Sequence, residues 1–336
     1  MEKAVRDSYG RTIEYMRISI TDRCNLRCRY CMPDGAKWIP MSEILTYEEI
    51  ERICREAVRI GITRFKITGG EPLVRKGCAD LIRMIRQIPG TEEVTMTTNG
   101  VLLGENLEDL LAAGLDAVNI SLDTLNPEHY NSLTGGCHVD RNPSDGNLEA
   151  VLRGMRKAQK QAGISVKVNC VLMHQTREEL LALAELAKDG VNVRFIELMP
   201  IGQGKEKHTL KEAEVKDILS ETYGTIRPCE EKLGSGPAHY RKIDGFEGKI
   251  GFISAISHKF CSGCNRVRMT ADGFLKPCLQ YETGMDLRTL LRDGVSDAEL
   301  KVQIETIITQ KPKCHHFGEI NEPERTEHRG MSEIGG

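Results

Sequence analysis

The stretch YMRISITDRCNLRCRYC, residues 15–31, joins a short β-rich run to three closely spaced cysteines. The composition of Tyr15–Ile20 favours a strand. Cys24, Cys28 and Cys31 follow with the spacing C-x3-C-x2-C, which lets one tight loop direct three thiolates at one centre. A cubane [4Fe–4S] cluster normally has four cysteine ligands, so three would leave one iron open to a small molecule.

Zinc binding, or three incidental thiols, is the alternative interpretation of this loop. A structural zinc ion usually has four ligands, often supplied by two C-x2-C pairs. The spacing here, followed by Met32-Pro33, fits that arrangement poorly. Gly69-Gly70 comes after another β-rich run, and two glycines there let the backbone approach a ligand closely. These features favour an iron–sulfur cluster over zinc.

Five more short apolar runs follow the first and are separated by helical patterns. Strands that alternate with helices predict a parallel sheet. Six such units are too few for an eight-stranded barrel, so we predict an incomplete, open (β/α)6 TIM-like barrel with functional residues at the carboxyl ends of its strands. The five later predicted strands are Arg64–Thr68, Val94–Thr98, Ala117–Leu122, Ser165–Leu172 and Val193–Leu198.

Four helices between these strands have recognisable ends. Thr46 and Glu49 form a possible capping box in front of the apolar stripe that starts at Ile50. The other three patterns each end before a glycine, which closes a helix well because it adopts left-handed backbone angles. These predicted helices are Leu107–Ala113, Leu148–Ala162 and Glu178–Asp189.

The rhythm of strands and helices changes after Pro200. We predict a barrel over residues 1–200, a C-terminal cluster-binding extension over 201–316 and a tail over 317–336 that lacks apolar periodicity. The extension should contain helices at Ala213–Tyr223 and around Leu287–Leu291. It should also contain a β-hairpin of Tyr240–Ile243 and Lys249–Ile256.

A second set of three cysteines lies in this extension. Cys261, Cys264 and Cys278 have the spacing C-x2-C-x13-C. Three ligands again fit a cluster with an open iron, but a zinc ion with a fourth ligand fits the spacing equally well. The candidates for that fourth ligand are Cys314, His315 and His316.

Composition excludes several classes of protein. The chain has 336 residues and a net charge of −3, so no overall basic character indicates nucleic acid or an anionic membrane as a partner. No apolar stretch approaches the length of a transmembrane helix, and Met1–Gly10 lacks the apolar core of a signal peptide. We expect a cytoplasmic protein whose 12 cysteines stay reduced and are available for metal ligation.

Motifs along nearly the whole chain, and in order, resemble the GTP 3′,8-cyclase family of radical S-adenosylmethionine enzymes. The most specific features are residues 15–33, the two cysteine sets and the Arg266-x-Arg268 pair after the second. The other matching segments are TTNG (97–100), NISLD (119–123), VKVN (166–169), RFIELM (194–199), FCSGCNRVRMTADGFLKPCL (260–279) and the terminal Gly335-Gly336.

The resemblance implies two [4Fe–4S] clusters and specific ligand contacts. Cys24, Cys28 and Cys31 would hold the cluster that binds S-adenosylmethionine, and a second cluster, whose open iron meets guanine, would be held by Cys261, Cys264 and Cys278. S-adenosylmethionine would contact Tyr30, Gly70, Ser121 and Met199. GTP would be surrounded by Arg17, Lys66, Thr97, Lys167, Arg266 and Arg268. The catalytic set would be Arg17, Arg266, Arg268, Gly335 and Gly336.

The implied reaction forms 3′,8-cyclo-7,8-dihydro-GTP, the first step of molybdenum cofactor synthesis. A 5′-deoxyadenosyl radical would remove the 3′ hydrogen of GTP, and the C3′ radical would attack C8 of guanine. The resemblance also implies an electron donor, a separate synthase that takes the product, and a tail that reaches the active site. The protein would be a monomer or a homodimer.

The cationic residues of this set support an anionic substrate on physical grounds as well. Charges on otherwise apolar strands are costly unless they are paired or bind an anion, and guanidinium groups match phosphate oxygens well. Lys66 stands where many relatives have arginine. Lysine keeps the positive charge but lacks the planar guanidinium, whose forked N–H donors match phosphate oxygens. Arg64 and Arg194 are weaker candidates.

Two other functions compete with this interpretation. A radical S-adenosylmethionine enzyme that modifies peptides could have a similar two-cluster layout, although such enzymes typically carry a larger cysteine-rich C-terminal module. A zinc-binding regulator without catalysis is the second. Iron content separates them, because two cubanes give brown protein with roughly eight irons per chain.

Overall fold

The computed structural model of the chain describes residues 4–32, 38–135, 146–201, 209–231, 233–317, 319, 326–331 and 333–334. Gly335 and Gly336 lie outside the described residues. Within these ranges, no helix is both long and apolar enough to cross a bilayer.

The six predicted strands form consecutive parallel neighbours in one sheet, with ends within a residue of those predicted. Their order in the sheet follows the chain. This confirms the prediction of an incomplete, TIM-like α/β barrel. The strands are β1 (Tyr15–Ser19), β2 (Arg64–Thr68), β3 (Glu93–Thr98), β4 (Ala117–Ser121), β5 (Ser165–Leu172) and β6 (Asn192–Glu197).

Strands from the second half of the chain extend this sheet at both edges. The predicted hairpin is present as β8 (His239–Lys242) and β9 (Ile250–Ile253), and β9 pairs in parallel with β6. At the other edge β10 (Arg266–Met269) pairs in parallel with β1. The full order is β12-β11-β10-β1-β2-β3-β4-β5-β6-β9-β8-β7, which leaves the barrel open. The outermost strands are β7 (Arg227–Cys229), β11 (Phe274–Lys276) and β12 (Met285–Asp286).

Helices pack their apolar stripes against the outer face of the sheet. Thr46 and Glu49 form the predicted capping box, and Ile50, Ile53 and Cys54 behind it are fully buried. The helices in chain order are α1 (Tyr47–Arg59), α2 (Cys78–Arg86), α3 (Leu103–Ala112), α4 (Pro127–Thr134), α5 (Asn147–Gln159), α6 (Arg177–Glu185), α7 (Glu212–Tyr223), α8 (Leu287–Arg292) and α9 (Asp297–Thr309).

Two predicted helix ends are wrong. Helices α5 and α6 end at Gln159 and Glu185, three and four residues before the predicted ends at Ala162 and Asp189. Turns separate each helix from Gly163 and Gly190, whose φ angles of 87° and 88° serve the entry into the next strand.

The described residues of the predicted tail are anchored to the rest of the protein. Thr326 forms an antiparallel bridge with Tyr281, and Glu327 is 2% exposed. Ile334 is fully buried in a small cluster with Ile201, Leu279 and Phe317. Composition alone does not show this, since the segment packs through a few isolated side chains rather than a periodic stripe.

Candidate active site

The first cysteine set lies in the loop after β1, at the carboxyl end of the barrel. Burial raises the pKa of Cys24 to about 12 and holds that of Cys28 well above its ordinary value. The charges of neighbouring thiols in the set raise both pKa values further. Because metal binding requires thiolates, three half-buried thiols in one loop fit a cationic centre that would draw off their protons.

Gly69-Gly70 packs directly against this loop. The Gly70 amide donates to the carbonyl of Thr21 at 2.7 Å, and the amide of Glu71 donates to that of Arg23 at 2.8 Å. A Cβ atom on Gly70 would lie 2.4 Å from the Arg23 carbonyl oxygen and 2.7 Å from that of Asp22. The backbone that requires this glycine is therefore the chain's own cysteine loop, while the predicted contact of Gly70 with S-adenosylmethionine stays a prediction.

A Gly70→Ala substitution should therefore displace the first cysteine loop. Overpacking against rigid backbone costs about 1–3 kcal/mol, and we expect the variant to lose iron from this site. Iron content and the melting temperature of the anaerobic protein measure the effect. Gly104→Ala is the control, because its Cβ would lie 3.5 Å from Gly154, an ordinary contact. Full iron content and an unchanged melting temperature in Gly70→Ala would contradict the expectation.

Glu71 connects the cysteine loop to the ends of β2 and β3. Its buried carboxylate accepts hydrogen bonds from the Thr98 hydroxyl at 2.8 Å and the Asn99 amide at 2.6 Å. The Asn99 side chain in turn donates to Asn25 at 2.7 Å, between Cys24 and Cys28 in sequence. Burial raises the pKa of Glu71 to about 7. This network fixes the loop relative to the barrel.

Tyr30 is held on the other side of the loop by Asp123, which follows β4. The tyrosine hydroxyl donates to the Asp123 carboxylate at 2.8 Å, and the amide of Val171 donates to the same carboxylate at 2.7 Å. Burial raises the pKa of Asp123 to about 6. Ser121 and Met199, the other predicted S-adenosylmethionine contacts, also follow or end strands at this carboxyl edge.

Inside the barrel, cationic side chains converge on a cavity that is open to solvent. Strand register places Arg17 beside Lys66 on one side and Arg268 on the other. Lys66, Lys167 and Arg194 line the cavity, and no carboxylate of the described residues lies within salt-bridge distance of these three. The remaining lining residues are Tyr15, Glu93, Thr95, Ala117, Asn119 and Leu233–Gly236.

The electrostatics of this cavity favour an anion. Burial holds the pKa of Lys66 well below its ordinary value, and the charges of Arg194, Arg17 and Lys167 lower it further. Burial and the charge of Arg194 lower the pKa of Lys167 to about 8. Each cation thus opposes the protonation of its neighbours, and a polyanion among them would relieve that repulsion.

Arg194 is the residue that sequence reasoning undervalued. It is 6% exposed, and its guanidinium donates to the Asn119 side chain at 2.7 Å, while its Nε atom is buried without a hydrogen-bond acceptor. In the structure Arg194 lies opposite Asn169 in the register of β5 and β6, a pairing that local sequence patterns do not reveal. Arg64 is paired with Glu14 and Glu92, which explains it without a ligand.

The second cysteine set lies at the opposite end of the barrel from the first. Cys264 immediately precedes β10, whose first residue, Arg266, is in parallel register with Tyr15 at the start of β1. The cavity lies near this amino end, since Tyr15 and Glu93 begin their strands. The prediction placed functional residues at the carboxyl ends of the strands, whereas the C-terminal extension brings the second cysteine set to the amino end. Strand β1, five residues and roughly 17 Å long, spans between these two ends of the barrel.

Two buried cations hold the second set in place. The ammonium of Lys311, 3% exposed, donates to the carbonyls of Arg266 at 2.8 Å and Pro277 at 2.5 Å. Arg11 donates to the Cys261 carbonyl at 2.7 Å. Burial raises the pKa of Cys264, but Lys311 and Arg266 outweigh it and bring that pKa down to about 7. The thiol is thus prepared to act as an anionic ligand.

The segment Cys314–His316 lies against this set. The backbone amide of His315 is 3.5 Å from the Cys261 sulfur, and the Cys314 sulfur is 3.6 Å from His316 Nε2. In the part of the chain that the structure describes, no three His, Cys, Asp or Glu side chains surround one metal-ion position. A cubane does not require this, because its cysteines bind different irons.

Two family models match the chain. The Radical SAM superfamily matches residues 18–187, and Molybdenum Cofactor Synthesis C matches residues 191–317. GTP 3′,8-cyclase of Clostridium perfringens (strain SM101 / Type A) is 43% identical over 99% of this chain and 100% of its own length. The enzyme of the same name from Pelotomaculum thermopropionicum is 41% identical over 99% of this chain and 100% of its own.

Solved structures support the fold. SuiB of Streptococcus suis bound to S-adenosylmethionine has a TM-score of 0.60 with 16% identity, over 86% of this chain and 68% of its own. SuiB bound to the precursor peptide SuiA has a TM-score of 0.56 with 16% identity, over 88% of this chain and 67% of its own. At this identity the likeness concerns the fold alone.

Proposed function

This chain belongs to the GTP 3′,8-cyclase family of radical S-adenosylmethionine enzymes, and from that premise we propose that it holds GTP between two [4Fe–4S] clusters. It converts GTP to 3′,8-cyclo-7,8-dihydro-GTP, the first step of molybdenum cofactor synthesis. We further propose which residues bind the clusters, S-adenosylmethionine and GTP. We also propose that a separate synthase takes the product and that the protein is a monomer or a homodimer.

The observation that carries the proposal is the cationic cavity between two cysteine sets at opposite ends of one barrel. Lys66, Lys167 and Arg194 lack carboxylate partners among the described residues, and a triphosphate would supply the missing negative charge. Arg17 and Arg268 face the same interior. A nucleotide with its phosphates here would extend between the two cysteine sets.

The cofactors supply radical chemistry, and the chain's residues bind, orient and enclose the reactants. Cys24, Cys28 and Cys31 would hold the first cluster at the carboxyl end, where Glu71 and Asp123 fix their loop. The second cluster would be held at the amino end by Cys261, Cys264 and Cys278. Tyr30, Gly70, Ser121 and Met199 would contact S-adenosylmethionine. GTP would be oriented by Arg17, Lys66, Thr97, Lys167, Arg266 and Arg268, to which we add Arg194.

Anaerobic turnover tests the proposal. The purified protein is incubated with GTP, S-adenosylmethionine and dithionite, and products are followed by chromatography and mass spectrometry. We expect one 5′-deoxyadenosine for each cyclised nucleotide. Formation of 5′-deoxyadenosine with every nucleotide unchanged would reject GTP as the substrate. Colourless protein that contains zinc in place of iron would reject the clusters.

Nucleotide binding should take up protons near pH 8. Lys167, with a pKa of about 8, is about half neutral there in the free protein, and burial also holds the pKa of Lys66 well below its ordinary value. A bound polyanion stabilises the ammonium form and raises both pKa values, so protons enter on binding and affinity falls from pH 7 to pH 9. Titration calorimetry in two buffers with different ionisation enthalpies gives the proton count, and Lys167→Met should lower it. Zero net uptake at pH 8 would contradict this assignment.

The catalytic role of the terminal glycines also stays a prediction. We expect removal of Gly335 and Gly336 to abolish cyclisation while both clusters and S-adenosylmethionine binding remain. Undiminished GTP turnover by the truncated protein would refute it. The residues that precede these glycines and that the structure describes are 326–331 and 333–334.

A further inference from the structure

A buried ion pair joins the C-terminal segment to the strand that leads to the second cysteine set. Lys276 ends β11 two residues before Cys278, and its ammonium contacts the Glu327 carboxylate. The two side chains are 0% and 1% exposed. Lys276 also donates to the carbonyl of Tyr281 at 2.6 Å. This interaction lies outside the residues proposed above to bind cofactor or substrate.

Glu327 is further constrained by its own segment. Arg329 donates to its carboxylate from Nε at 3.0 Å and from Nη2 at 3.1 Å, and the Arg329 guanidinium lies 5.3 Å from the centre of the Phe274 ring. The Glu327 amide donates to the carbonyl of Gln280 at 2.6 Å. Side chain and backbone together therefore specify one register of the segment on residues 274–281.

A stabilising role alone does not account for this arrangement. Removing two charges from water costs several kcal/mol, and apolar pairs of similar size are often at least as stable. Burial of an ion pair with matched hydrogen bonds does, however, exclude other registers, because a shifted segment would leave a buried charge without its partner. A few apolar contacts would not discriminate in this way.

The register matters at the far end of the segment. Seven residues after Glu327, the side chain of Ile334 is fully buried beside Leu279, which follows Cys278. Met199, the predicted S-adenosylmethionine contact after β6, packs against the same cluster. Ile334 therefore joins a residue next to the second cysteine set to a predicted S-adenosylmethionine contact.

We propose that the Lys276–Glu327 pair is a latch that sets the register of the C-terminal segment and thereby holds Ile334 beside Leu279, next to the second cysteine set and to Met199. The two residues are positioning residues and do not touch the reacting atoms. The inference rests on the proposed function for its catalytic consequence, but the anchoring itself is independent of substrate. Loss of the latch should uncouple radical formation from cyclisation.

Hydrogen exchange and product ratios test the latch. In Glu327→Gln we expect amides of residues 326–334 to exchange about tenfold faster. The ratio of cyclised nucleotide to 5′-deoxyadenosine should fall about tenfold, with unchanged iron content. Glu319→Gln is the matched control, because Glu319 lies on the same C-terminal segment. It breaks a contact with Lys259, and the side chains of Glu319 and Lys259 are 46% and 38% exposed. That control should behave as the wild type.

A second variant covers the case in which Glu327→Gln fails to fold. The double variant Lys276→Met/Glu327→Met leaves no buried charge unpaired, so it should fold with full iron content and still show faster exchange at residues 326–334. Wild-type exchange in both variants would overturn the latch, as would a parallel loss of both products with an unchanged ratio. A wild-type protein that forms no cyclised nucleotide would reject the proposed function, while the exchange data would still decide the latch.

Discussion

Lys66→Met is expected to weaken GTP binding by about tenfold to a hundredfold and to raise the melting temperature of the nucleotide-free protein. A hydrogen bond to a charged group contributes about 1.5–3 kcal/mol, which sets the loss of affinity. The gain in stability has a different origin. Lys66 is surrounded by Arg17, Lys167 and Arg194, so its removal relieves both desolvation and repulsion in the empty cavity.

The opposite signs of these two effects make the test specific. Anaerobic titration calorimetry with magnesium–GTP gives the affinity, and scanning calorimetry gives the melting temperature, for which we expect a rise of about 2 °C. Lys66→Arg is the matched control, because it keeps the charge and adds the fork that suits phosphate. It should bind GTP at least as tightly as the wild type. Normal GTP affinity in Lys66→Met would show that Lys66 does not bind the nucleotide. A lower melting temperature would contradict the repulsion among the cations of the empty cavity.

Cys264→Ser is expected to abolish cyclisation and to leave roughly four irons per chain in place of roughly eight. The pKa of Cys264 is lowered to about 7, since Lys311 and Arg266 favour its thiolate. A serine hydroxyl cannot ionise at neutral pH in the same position. The first set, about one strand length away, should keep its iron and still cleave S-adenosylmethionine.

Iron analysis, electron paramagnetic resonance of the reduced protein and 5′-deoxyadenosine formation follow this variant. Cys54→Ser is the control for a general loss of thiols, because Cys54 is fully buried in the stripe of α1, away from both sets. An unchanged iron count in Cys264→Ser would show that the second set holds no cluster. Zinc bound at the second cysteine set of the wild-type protein would favour the alternative of a zinc site whose fourth ligand comes from residues 314–316.

Local patterns were sufficient to predict most of the barrel. The capping box at Thr46, the β-rich runs and the glycines near helix ends depend on neighbouring residues only, so the strands appear within a residue of their predicted ends. The cysteine spacing in residues 24–31 is local in the same sense. Helix ends at Gln159 and Glu185 were missed, because turns and longer helices share the same composition.

Contacts between residues that are distant in the sequence could not be predicted from local patterns. The pairing of β10 with β1 joins residues about 250 positions apart and places the second cysteine set at the amino end of the barrel. The contact of Gly70 with Arg23, the place of Arg194 in the cavity and the Lys276–Glu327 pair depend on similar long-range packing.

By itself, the sequence determined the strand–helix order and the two cysteine sets, because spacing and periodicity are properties of short segments. The family was implied by the resemblance of its motifs to those of known enzymes. Only the tertiary structure decided which cations share one cavity, which backbone Gly70 touches and where the C-terminal segment is anchored. The physical reason is that burial and partner choice arise from the packing of whole elements, and no local pattern records which distant surface will cover a side chain.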